Sequence, residues 1–476
     1  MSRSALTSSC GAGLRRGLIA LAASLSALTG PQAFAQSSRE IFSPQNEIAL
    51  VMKVEAALAR AQASEGVIPA EAAREITARS DPSFAPLSEV EAARRTTGHR
   101  MVALLQVWRS RLSENAASHL HFGATTVDIY DTVLTLQLIE AVDSILDDLE
   151  ALEASLVELA VRHRATPVVG RTLGRHALPL TYGKRVSVWV GELGRHRERL
   201  CETRARLSRS SIMKGAVGSY AGLGQRAVEV EDRFGAELGL PAPFEDDWHA
   251  SRDVYAETAL SVSLLSRTLG RYGQDIFLMQ MDDIAEAAET RPQGSVGSSS
   301  MPHKVNPELS ESLIHASRVL PRQAEVILDD VVNVFERDNV SRPNAAMGDL
   351  MIGAEAMILD AAALTAALAV DAAAMRRNLD RTGGLISAQA VTQALLARLS
   401  QEQAEEAVRR AVARVQTGTS FEKALLSEPE IARILSPAEI RRLLDPTRGL
   451  ETAARQVDRV VAASRARAGQ TCPTPN

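Results

Sequence analysis

The stretch DTVLTLQLIEAVDSILDDLEALEASLVELAVRHR, residues 131–164, decides the fold class of this chain. It contains no Gly or Pro, and its apolar residues alternate spacings of three and four: Val142, Ile145, Leu149, Leu152, Leu156 and Leu159. This is the period of a helix that buries one continuous stripe against neighbouring helices. The stretch therefore predicts a long helix inside a bundle.

Four later segments repeat this apolar spacing and predict four more long helices. One follows Thr181, one follows His249, one lies between Pro307 and Arg337 with a bend at Pro321, and one lies between Asp349 and Asn378. The last is rich in Ala, but its acidic residues are too frequent for a membrane helix. Five long helices with matching stripes predict a central bundle.

Composition favours the same fold class. Hydrophobic residues make up 45% of the chain and aromatic residues only 4%, so Ala, Leu, Val and Ile must build the core, which suits packed helices. We predict an all-α protein of three helical domains: an N-terminal domain at 36–120, a central long-helix bundle with the catalytic loops at 121–380, and a C-terminal domain at 381–476.

Residues 1–35 are typical of an export signal. Arg3, Arg15 and Arg16 precede the apolar run GLIALAASLSALT, and PQAFA then places Ala33 and Ala35 before a cleavage site at Gln36. The pattern predicts a periplasmic or secreted protein with no membrane contact after cleavage, and the paired arginines leave a twin-arginine route open. An uncleaved anchor or a disordered tail is the alternative interpretation.

Charge and cysteine usage exclude several classes of protein. Cleavage would remove three Arg and no acid, so the net charge of −5 would become −5 − 3 = −8, which argues against a nucleic-acid partner. Cys201 and Cys472 would remain, far apart and without metal-ligand spacing. A bridge between them is possible in an oxidising compartment, but we expect them to stay unpaired. No ligand cluster or dinucleotide fingerprint is present in the sequence, so no metal or organic cofactor is predicted.

Three polar, Gly-containing segments fall at the ends of the predicted long helices. They are HLHFGATTVDIYDT at 119–132, GRTLGRHALPLTYGK at 170–184 and GSVGSSSMPHKVNPELSE at 294–311. They are richer in His, Arg, Lys, Ser and Thr than turns require. Hydroxyl and cationic groups in this combination orient and bind carboxylates, so the segments predict a site for a small polycarboxylate.

These segments resemble the fumarase/aspartase superfamily over nearly all of the chain after residue 35. GSSSMPHKVNP is similar to its loop signature GSSxMPxKxN, HFGATTVD to its HxGxTSxD segment, and GRTLGRHALP to its GRTHxQxAxP segment. Two branches compete. TGH, RHRERL and WHASRDVYAE resemble the 3-carboxy-cis,cis-muconate cycloisomerase branch, whereas FERDNVS resembles the adenylosuccinate lyase branch.

The resemblance implies β-elimination, or its reverse, through a carbanion stabilised by a carboxylate. A C–H beside a carboxylate is very weakly acidic, so such an enzyme needs a base and a stabilising site for the developing charge. By motif position Ser298 is the base, and Lys304 and Asn306 bind the carboxylate. Gly294 and Gly297 would let the loop close as a lid over the site. The alternative is a solvated Ser/Gly linker.

The other motif positions imply further roles. His121 would contact substrate or act in catalysis, against a capping or core histidine; Thr125 and Thr126 would bind substrate or cap the following helix. Arg171 and Thr172 belong to the second motif and would bind substrate.

Two weaker candidates lie outside the three segments. Arg252 matches a family arginine but also suits an ion pair. His99, beside a Gly at a predicted helix start, is either a substrate contact or a surface residue.

One departure from the family pattern matters for the chemistry. Where many members have a His in GRTH, this chain has Leu173, which cannot transfer a proton, although Glu311, the position that pairs with that His, is kept. Leu173 favours the cycloisomerase branch, or a substrate whose leaving group needs little protonation. His176 is a possible substitute donor.

The sequence therefore predicts an exported lyase or cycloisomerase acting on a muconate- or succinyl-type polycarboxylate, most like 3-carboxy-cis,cis-muconate cycloisomerase. The alternatives are a carbon–nitrogen lyase that releases fumarate from an N-substituted aspartate, a non-catalytic carboxylate-binding protein, and a helical cell-envelope spacer. The resemblance also implies a homotetramer in which subunits share active sites.

Overall fold

The computed structural model describes residues 36–246, 251–291, 294, 297–332, 334–336 and 343–472, with 343–345 described by their backbone alone. The predicted signal segment at 1–35, His249 and most of the FERDNVS segment lie outside these residues.

The described residues form helices and two short two-stranded antiparallel sheets. The first helices are α1 Ser38–Ile41, α2 Pro44–Ser64, α3 Ala70–Ala78, α4 Leu87–Thr97, α5 Arg100–Arg109 and α6 Glu114–His119. The middle of the chain contains α7 Thr126–Arg162, β1 Pro167–Thr172, β2 Arg175–Thr181, α8 Tyr182–Leu207, α9 Ala227–Glu237, α10 Asp253–Met279, β3 Ala287–Glu289, α11 Glu308–Asp329, α12 Pro343–Ala367, β4 Leu368–Val370 and α13 Ala372–Asp380. The last helices are α14 Ala388–Leu395, α15 Gln401–Val415, α16 Phe421–Leu426, α17 Pro429–Ile434, α18 Pro437–Leu444 and α19 Glu451–Arg467.

The five predicted long helices are present as α7, α8, α10, α11 and α12, which confirms the all-α class and the central bundle. The predicted stripe of α7 is fully buried, and it packs in one core with the stripes of α8 and α10. Burying a Leu or Ile side chain contributes about 1.5–3 kcal/mol. The stripe of α7 therefore contributes to the stability of the bundle together with the other helices of this core.

Two predicted helix boundaries are wrong. The helix predicted up to Asn378 ends at Ala367, because residues 368–370 pair with β3 as a strand before α13 begins. The helix predicted up to Arg337 ends at Asp329, and Pro321 lies inside it. In both places apolar residues continue past the helix end, so periodicity alone does not mark the boundary.

The Ala-rich helix α12 is a core helix. Its segment Ala346–Ala367 is long and apolar enough to cross a membrane by length and composition. However, Met347, Leu350, Met351 and Ile358 are buried in the central core. This packing agrees with the predicted core role.

The second polar segment is a β-hairpin, where the sequence suggested only a loop. β1 and β2 pair antiparallel, with Thr172 opposite Arg175 and the residues Leu173–Gly174 at the turn. Both turn residues have a left-handed backbone, with φ of +53° and +75°, as in the two-residue turns that match strand twist. Gly suits this geometry and Leu does not, so Leu173 occupies an unfavourable backbone conformation.

Separate hydrophobic clusters underlie the three predicted domains, but two segments cross the predicted boundaries. Met213, Leu223 and Phe234, from the central part of the sequence, pack in the N-terminal cluster with α2 and α5. Val457 and Val461 of α19 pack in the central core, not with the C-terminal cluster. The domain limits at 120 and 380 stay a prediction.

The expectation of unpaired cysteines is wrong, because Cys201 and Cys472 form a disulfide across a sequence separation of 271 residues. Helix α19 returns along α7 and α8, which brings the residues after it to the last turns of α8. Distance along the sequence carries no information about such a pair once a terminal helix packs back on the bundle.

Candidate active site

The three motif segments lie at two ends of the bundle. The first precedes α7 and the β1–β2 hairpin follows it, and α7 spans 37 residues, about 55 Å at 1.5 Å per residue. Helix α10 runs in the same direction, since Arg252 at its start contacts Asp131 and Glu286 beyond its end contacts Arg171. The signature loop that follows β3 therefore shares the hairpin end. Within one chain, His121 does not meet Ser298.

The signature loop places two backbone donors on the Ser298 hydroxyl. The N–H of Met301 donates to Ser298 Oγ at 3.2 Å, and that of Ser300 at 3.5 Å. Backbone N–H groups directed at an oxygen stabilise negative charge on it. The geometry is therefore suited to a serine that functions as an alkoxide.

Contacts between residues on either side of the loop fix its base. Arg291 donates to the backbone oxygen of Asn306 and pairs with Glu308 at 3.0 Å. A Cβ on Gly297 would lie 2.6 Å from the backbone oxygen of Lys304, so only Gly fits where the two arms of the loop meet. The side chain of Lys304 is exposed, with its charge available to a ligand.

A buried carboxylate from β3 caps the helix that follows the loop. Glu289 accepts hydrogen bonds from the backbone N–H groups of Leu309 at 3.0 Å and Ser310 at 2.9 Å. The N-cap residue Pro307 makes no side-chain cap of its own. Glu289 thus satisfies donors that a helix start leaves free and fixes the direction in which the loop enters α11. No motif in the sequence contains Glu289.

Glu311 lies in the first turn of α11 with an exposed side chain. It lines a surface cavity of about 280 Å³ together with Gln274, Phe277, Ile314, His315 and Arg318. The family partner of this carboxylate is the His that Leu173 replaces. Glu311 is therefore present without that partner in this chain.

At the hairpin, Arg171 is already paired. Its guanidinium donates two hydrogen bonds to the buried Glu286, at 2.7 and 2.9 Å, and Asn378 donates to the same carboxylate at 2.9 Å. Glu286 therefore compensates the positive charge of Arg171 within the chain. Substrate binding by Arg171 stays a prediction. Thr172 and Leu173, by contrast, are exposed at the tip, Leu173 at 101% of its reference area.

His176 is a poor candidate for the missing proton donor. Its partial burial and then the positive charge of Arg171 hold the pKa of this imidazole below its ordinary value. At neutral pH the ring is therefore mostly neutral and has no extra proton to give.

The first motif segment has a different electrostatic setting. His121 has φ of +62°, an unusual conformation for a non-Gly residue. Its Nδ1 lies 2.6 Å from Oε1 of Glu55 on α2. Thr125 is the N-cap residue of α7 and Thr126 its first residue, so the capping interpretation of Thr125 holds; substrate contact by either threonine stays a prediction.

The buried side chains of Asp128 and Lys214 stabilise this segment. The buried Asp128 carboxylate accepts from the backbone N–H groups of Thr125 at 2.9 Å, Lys214 at 3.1 Å and Gly215 at 3.2 Å. Burial nevertheless raises the pKa of Asp128 to about 6. The Lys214 ammonium is buried against Glu231 at 2.8 Å. The Asp that ends the HFGATTVD motif is the sequence signal that could have indicated these hydrogen bonds.

The two weaker candidates have local partners. Arg252 is buried and pairs with Asp131 at 2.8 Å and with Asp330 at 3.4 Å, in agreement with the ion-pair interpretation. His99 is exposed at the N-cap of α5, where its Nδ1 accepts from the N–H of Val102 at 3.4 Å. Substrate contact by either residue stays a prediction.

Comparisons with known proteins cover most of the chain. A family profile described as lyase matches residues 30–320, and one described as adenylosuccinate lyase C-terminus matches residues 384–460. The 3-carboxy-cis,cis-muconate cycloisomerase of Bradyrhizobium diazoefficiens is 35% identical over 93% of this chain and 99% of its own. The chain belongs to the fumarase/aspartase superfamily.

Relatives within the fumarase/aspartase superfamily differ in reaction. The adenylosuccinate lyase of Methanocaldococcus jannaschii is 34% identical over 89% of this chain and 92% of its own. The solved 3-carboxy-cis,cis-muconate lactonizing enzyme from Pseudomonas putida has a TM-score of 0.82 at 34% identity, covering 90% of this chain and 97% of that one. As a member of the fumarase/aspartase superfamily, the protein is an enzyme of the lyase type, and the comparisons leave both branches in place.

Proposed function

We propose that the protein is an exported enzyme most like 3-carboxy-cis,cis-muconate cycloisomerase, which uses Ser298 on a muconate- or succinyl-type polycarboxylate. The observation that carries the proposal is the pair of N–H groups that Met301 and Ser300 direct at Ser298 Oγ. A serine hydroxyl is a very weak acid, and its alkoxide is usable as a base only where such donors stabilise it.

In the elimination direction, the Ser298 alkoxide removes the proton beside a substrate carboxylate. The C–H electron pair passes into that carboxylate, whose growing charge Lys304 and Asn306 bind, and then forms the double bond as the leaving group departs with its own pair. In the cyclising direction the steps reverse: a carboxylate oxygen adds to the double bond and Ser298 returns the proton to carbon.

Leu173 selects among the possible leaving groups. It occupies the exposed hairpin tip where many relatives carry a His, and it has no proton to donate. A carboxylate leaves as a stable anion and needs no proton, whereas an amine needs one. The cycloisomerase reaction, in which the leaving group of the reverse step is a carboxylate, is therefore the better match.

The positions of the motifs support active sites shared between the subunits of a homotetramer. His121 and Ser298 lie at opposite ends of helices about 40–55 Å long, so one chain cannot bring both to one substrate. Apolar side chains on the outer faces of the long helices, including Leu260, Leu264, Val319, Val326 and Leu359, are exposed in the single chain. A second and third copy packed on these faces would bury them and complete the site.

Export is supported by two independent features. Residues 1–35 have the composition of a cleaved signal, and Cys201 and Cys472 are joined in a disulfide. Disulfides persist in oxidising compartments and are rare in the cytosol of most organisms. A periplasmic catabolic role fits these features better than purine biosynthesis, whose phosphorylated intermediates are cytoplasmic.

The test uses the protein beginning at Gln36 and follows the absorbance of the conjugated double bond. One assay contains 3-carboxy-cis,cis-muconate alone, and a second contains fumarate with ammonia or a panel of amines. We expect loss of the muconate signal, abolished in Ser298→Ala. Ser300→Ala is the matched control, because it removes a neighbouring hydroxyl and keeps the backbone N–H.

Each other outcome has a defined meaning. Consumption of fumarate only when an amine is present would identify a carbon–nitrogen lyase of the adenylosuccinate lyase type, the second candidate. Turnover that survives Ser298→Ala would refute the assigned base. Failure of both assays, with polycarboxylates still raising the melting temperature, would favour a carboxylate-binding protein on the same fold.

A further inference from the structure

We infer that Glu55, on helix α2, is a positioning residue of the active site, which holds the His121 ring so that Nε2 is presented to the substrate as a hydrogen-bond donor. This inference rests on the proposed function, in which His121 belongs to the site. Glu55 lies outside the three motif segments, 66 residues before His121.

Three side chains hold the tripeptide around His121. Arg109 donates to the backbone oxygen of Leu120 at 2.9 Å, and Gln62 donates to that of Phe122 at 2.7 Å. Between them, Glu55 contacts the His121 ring at 2.6 Å. The backbone on both sides of His121 is therefore fixed, and the remaining freedom is the orientation of its ring.

Burying the carboxylate of Glu55 is energetically unfavourable, which argues against a purely structural role. Its side chain is 0% exposed on a face of α2 that otherwise carries Val51, Leu58 and Ala61 to the core. Its second oxygen, Oε2, has no hydrogen-bond partner among the described residues. An apolar side chain would pack at this position without burying a charge. The unfavourable φ of His121 adds to the penalty, and strain of this kind concentrates at functional sites.

The contact determines which ring nitrogen is available. A carboxylate only accepts hydrogen bonds, so Nδ1 of His121 must carry the hydrogen that it shares with Glu55. Nε2 then points away from Glu55 and has no hydrogen-bond partner among the described residues. The His121 side chain keeps 15% of its area exposed, which leaves the ring accessible to a ligand.

Charges on the surrounding helices favour the protonated ring. Burial and the positive charge of Arg109 on α5 act to lower the pKa of His121, whereas the charge and hydrogen bond of Glu55 and the nearby Asp128 on α7 raise it, and the net shift is upward. His176 at the hairpin is shifted downward. Compared with His176, His121 is therefore the histidine whose neighbours favour the protonated form, in which Nε2 donates to a substrate oxygen or nitrogen.

The test compares Glu55→Gln and Glu55→Ala in the full assembled protein beginning at Gln36. Diethyl pyrocarbonate modifies neutral imidazole, and peptide mass spectrometry reports the labelling of His121 alone as a function of pH. Gln keeps a hydrogen-bond acceptor at this position and removes the charge; Ala removes both. Glu47→Gln is the matched control, since it removes a carboxylate from the same helix away from His121.

If Glu55 acts as inferred, labelling of His121 begins at lower pH in Glu55→Gln than in the unmodified protein, because the neutral ring forms sooner. Turnover, as kcat/KM at pH 7.5, falls by about tenfold to a hundredfold, and part of it returns as the pH is lowered. Glu47→Gln changes neither curve. A Glu55→Gln protein with unchanged labelling and pH profile, and only a lower melting temperature, would overturn the inference.

The role of Glu55 and the role of Ser298 can fail independently in these tests. Turnover that persists in Ser298→Ala defeats the assigned base while the labelling curve of His121 still decides the role of Glu55. If neither substrate turns over, protection of His121 from labelling by fumarate replaces the rate. Protection that Glu55→Gln abolishes supports the inference, and absence of protection in the unmodified protein overturns it.

Discussion

At the residue scale, the candidate site depends on buried carboxylates that the motif patterns do not contain. Glu55, Glu286 and Glu289 are each almost fully buried, and each holds a motif element through a side chain or a backbone N–H. Burying a charge is unfavourable unless it is paired or hydrogen-bonded. Their partners are therefore as informative about the site as the motif residues themselves.

Asp128 predicts a specific dependence of stability on pH. Burial raises its pKa to about 6, whereas in the unfolded chain an Asp titrates near about 4. Below pH 4 both states are protonated and no penalty exists. As the pH rises to 6 the unfolded state ionises first, so the free energy of unfolding falls by up to about 3 kcal/mol and then stays level. Asp128→Asn, whose one amide oxygen keeps an acceptor for the N–H groups of Lys214 and Gly215, should remove this fall in thermal unfolding at pH 4 to 7.

An unchanged slope in Asp128→Asn would contradict the assignment and place the titrating group elsewhere. Asp458→Asn serves as the control. The exposed Asp458 carboxyl pairs with Arg164, and this hydrogen bond lowers the pKa of Asp458. The contribution of Asp458 to stability therefore changes with pH in the opposite direction. That contribution is present above the ordinary Asp range and is lost as the pH falls through the lowered value.

Substitution of Leu173 by His should extend the reaction to substrates with an amine leaving group. Leu173→His places an imidazole at the exposed hairpin tip, so stability should change by less than about 0.5 kcal/mol. If the missing acid is what excludes amine leaving groups, release of fumarate from N-substituted aspartates should rise by about tenfold or more, with muconate turnover nearly unchanged. Leu173→Asn suits the left-handed backbone but adds no acid, and a gain of fumarate release in that variant would sink the explanation.

At the element scale, glycines on α10 let this helix approach α11 closely. A Cβ on Gly270 of α10 would lie 2.2 Å from Cβ of Ser317 on α11, and one on Gly273 would lie 2.7 Å from Cβ of Leu313. Small residues at a crossing let helix backbones approach, and such a contact cannot accept added volume without movement. The position of α11, and hence of the signature loop that leads into it, depends on this approach.

Gly270→Ala should therefore destabilise the protein by about 1–3 kcal/mol and lower kcat through displacement of the loop. Gly191→Ala is the matched control on α8, where the added methyl meets only the end of Arg195 at 3.7 Å. There the better helix propensity of Ala should raise stability by up to about 1 kcal/mol. Thermal unfolding and steady-state rates check both variants, and equal behaviour of the two would remove the close-approach argument.

At the scale of the whole molecule, the C-terminal residues are tied back to the central bundle. Ser464 and Arg467 of α19 bind the buried Glu153 of α7 at 2.6 and 3.0 Å, and the Cys201–Cys472 disulfide closes the same contact covalently. A cross-link over a long sequence separation restricts the unfolded chain strongly.

Reduction should lower the free energy of unfolding by about 2–5 kcal/mol. The measurement is thermal unfolding with and without dithiothreitol. Cys201→Ser should begin at the lower stability and no longer respond to the reductant. A response to dithiothreitol that survives in Cys201→Ser would show that the reductant acts elsewhere.

The sequence by itself determined the long helices and the chemical class of the site. The apolar spacing of Leu149, Leu152 and Leu156 specifies a buried helical stripe because it repeats within a few residues, and the GSSSMPHKVNP segment places a base, a cation and an amide in one local loop. Such local patterns need no knowledge of the rest of the chain. The helix ends at Ala367 and Asp329 were missed because the apolar pattern runs past them.

Only the tertiary structure decided which distant groups meet. Glu55 contacts His121 across 66 residues and Arg171 contacts Glu286 across 115, and the two cysteines pair across 271. It also showed that, within one chain, His121 and Ser298 lie at opposite ends of the helix bundle. Hydrogen bonds, ion pairs and disulfides depend on separation in space to within a few ångströms, and that separation is set by how the helices pack, which no local period records.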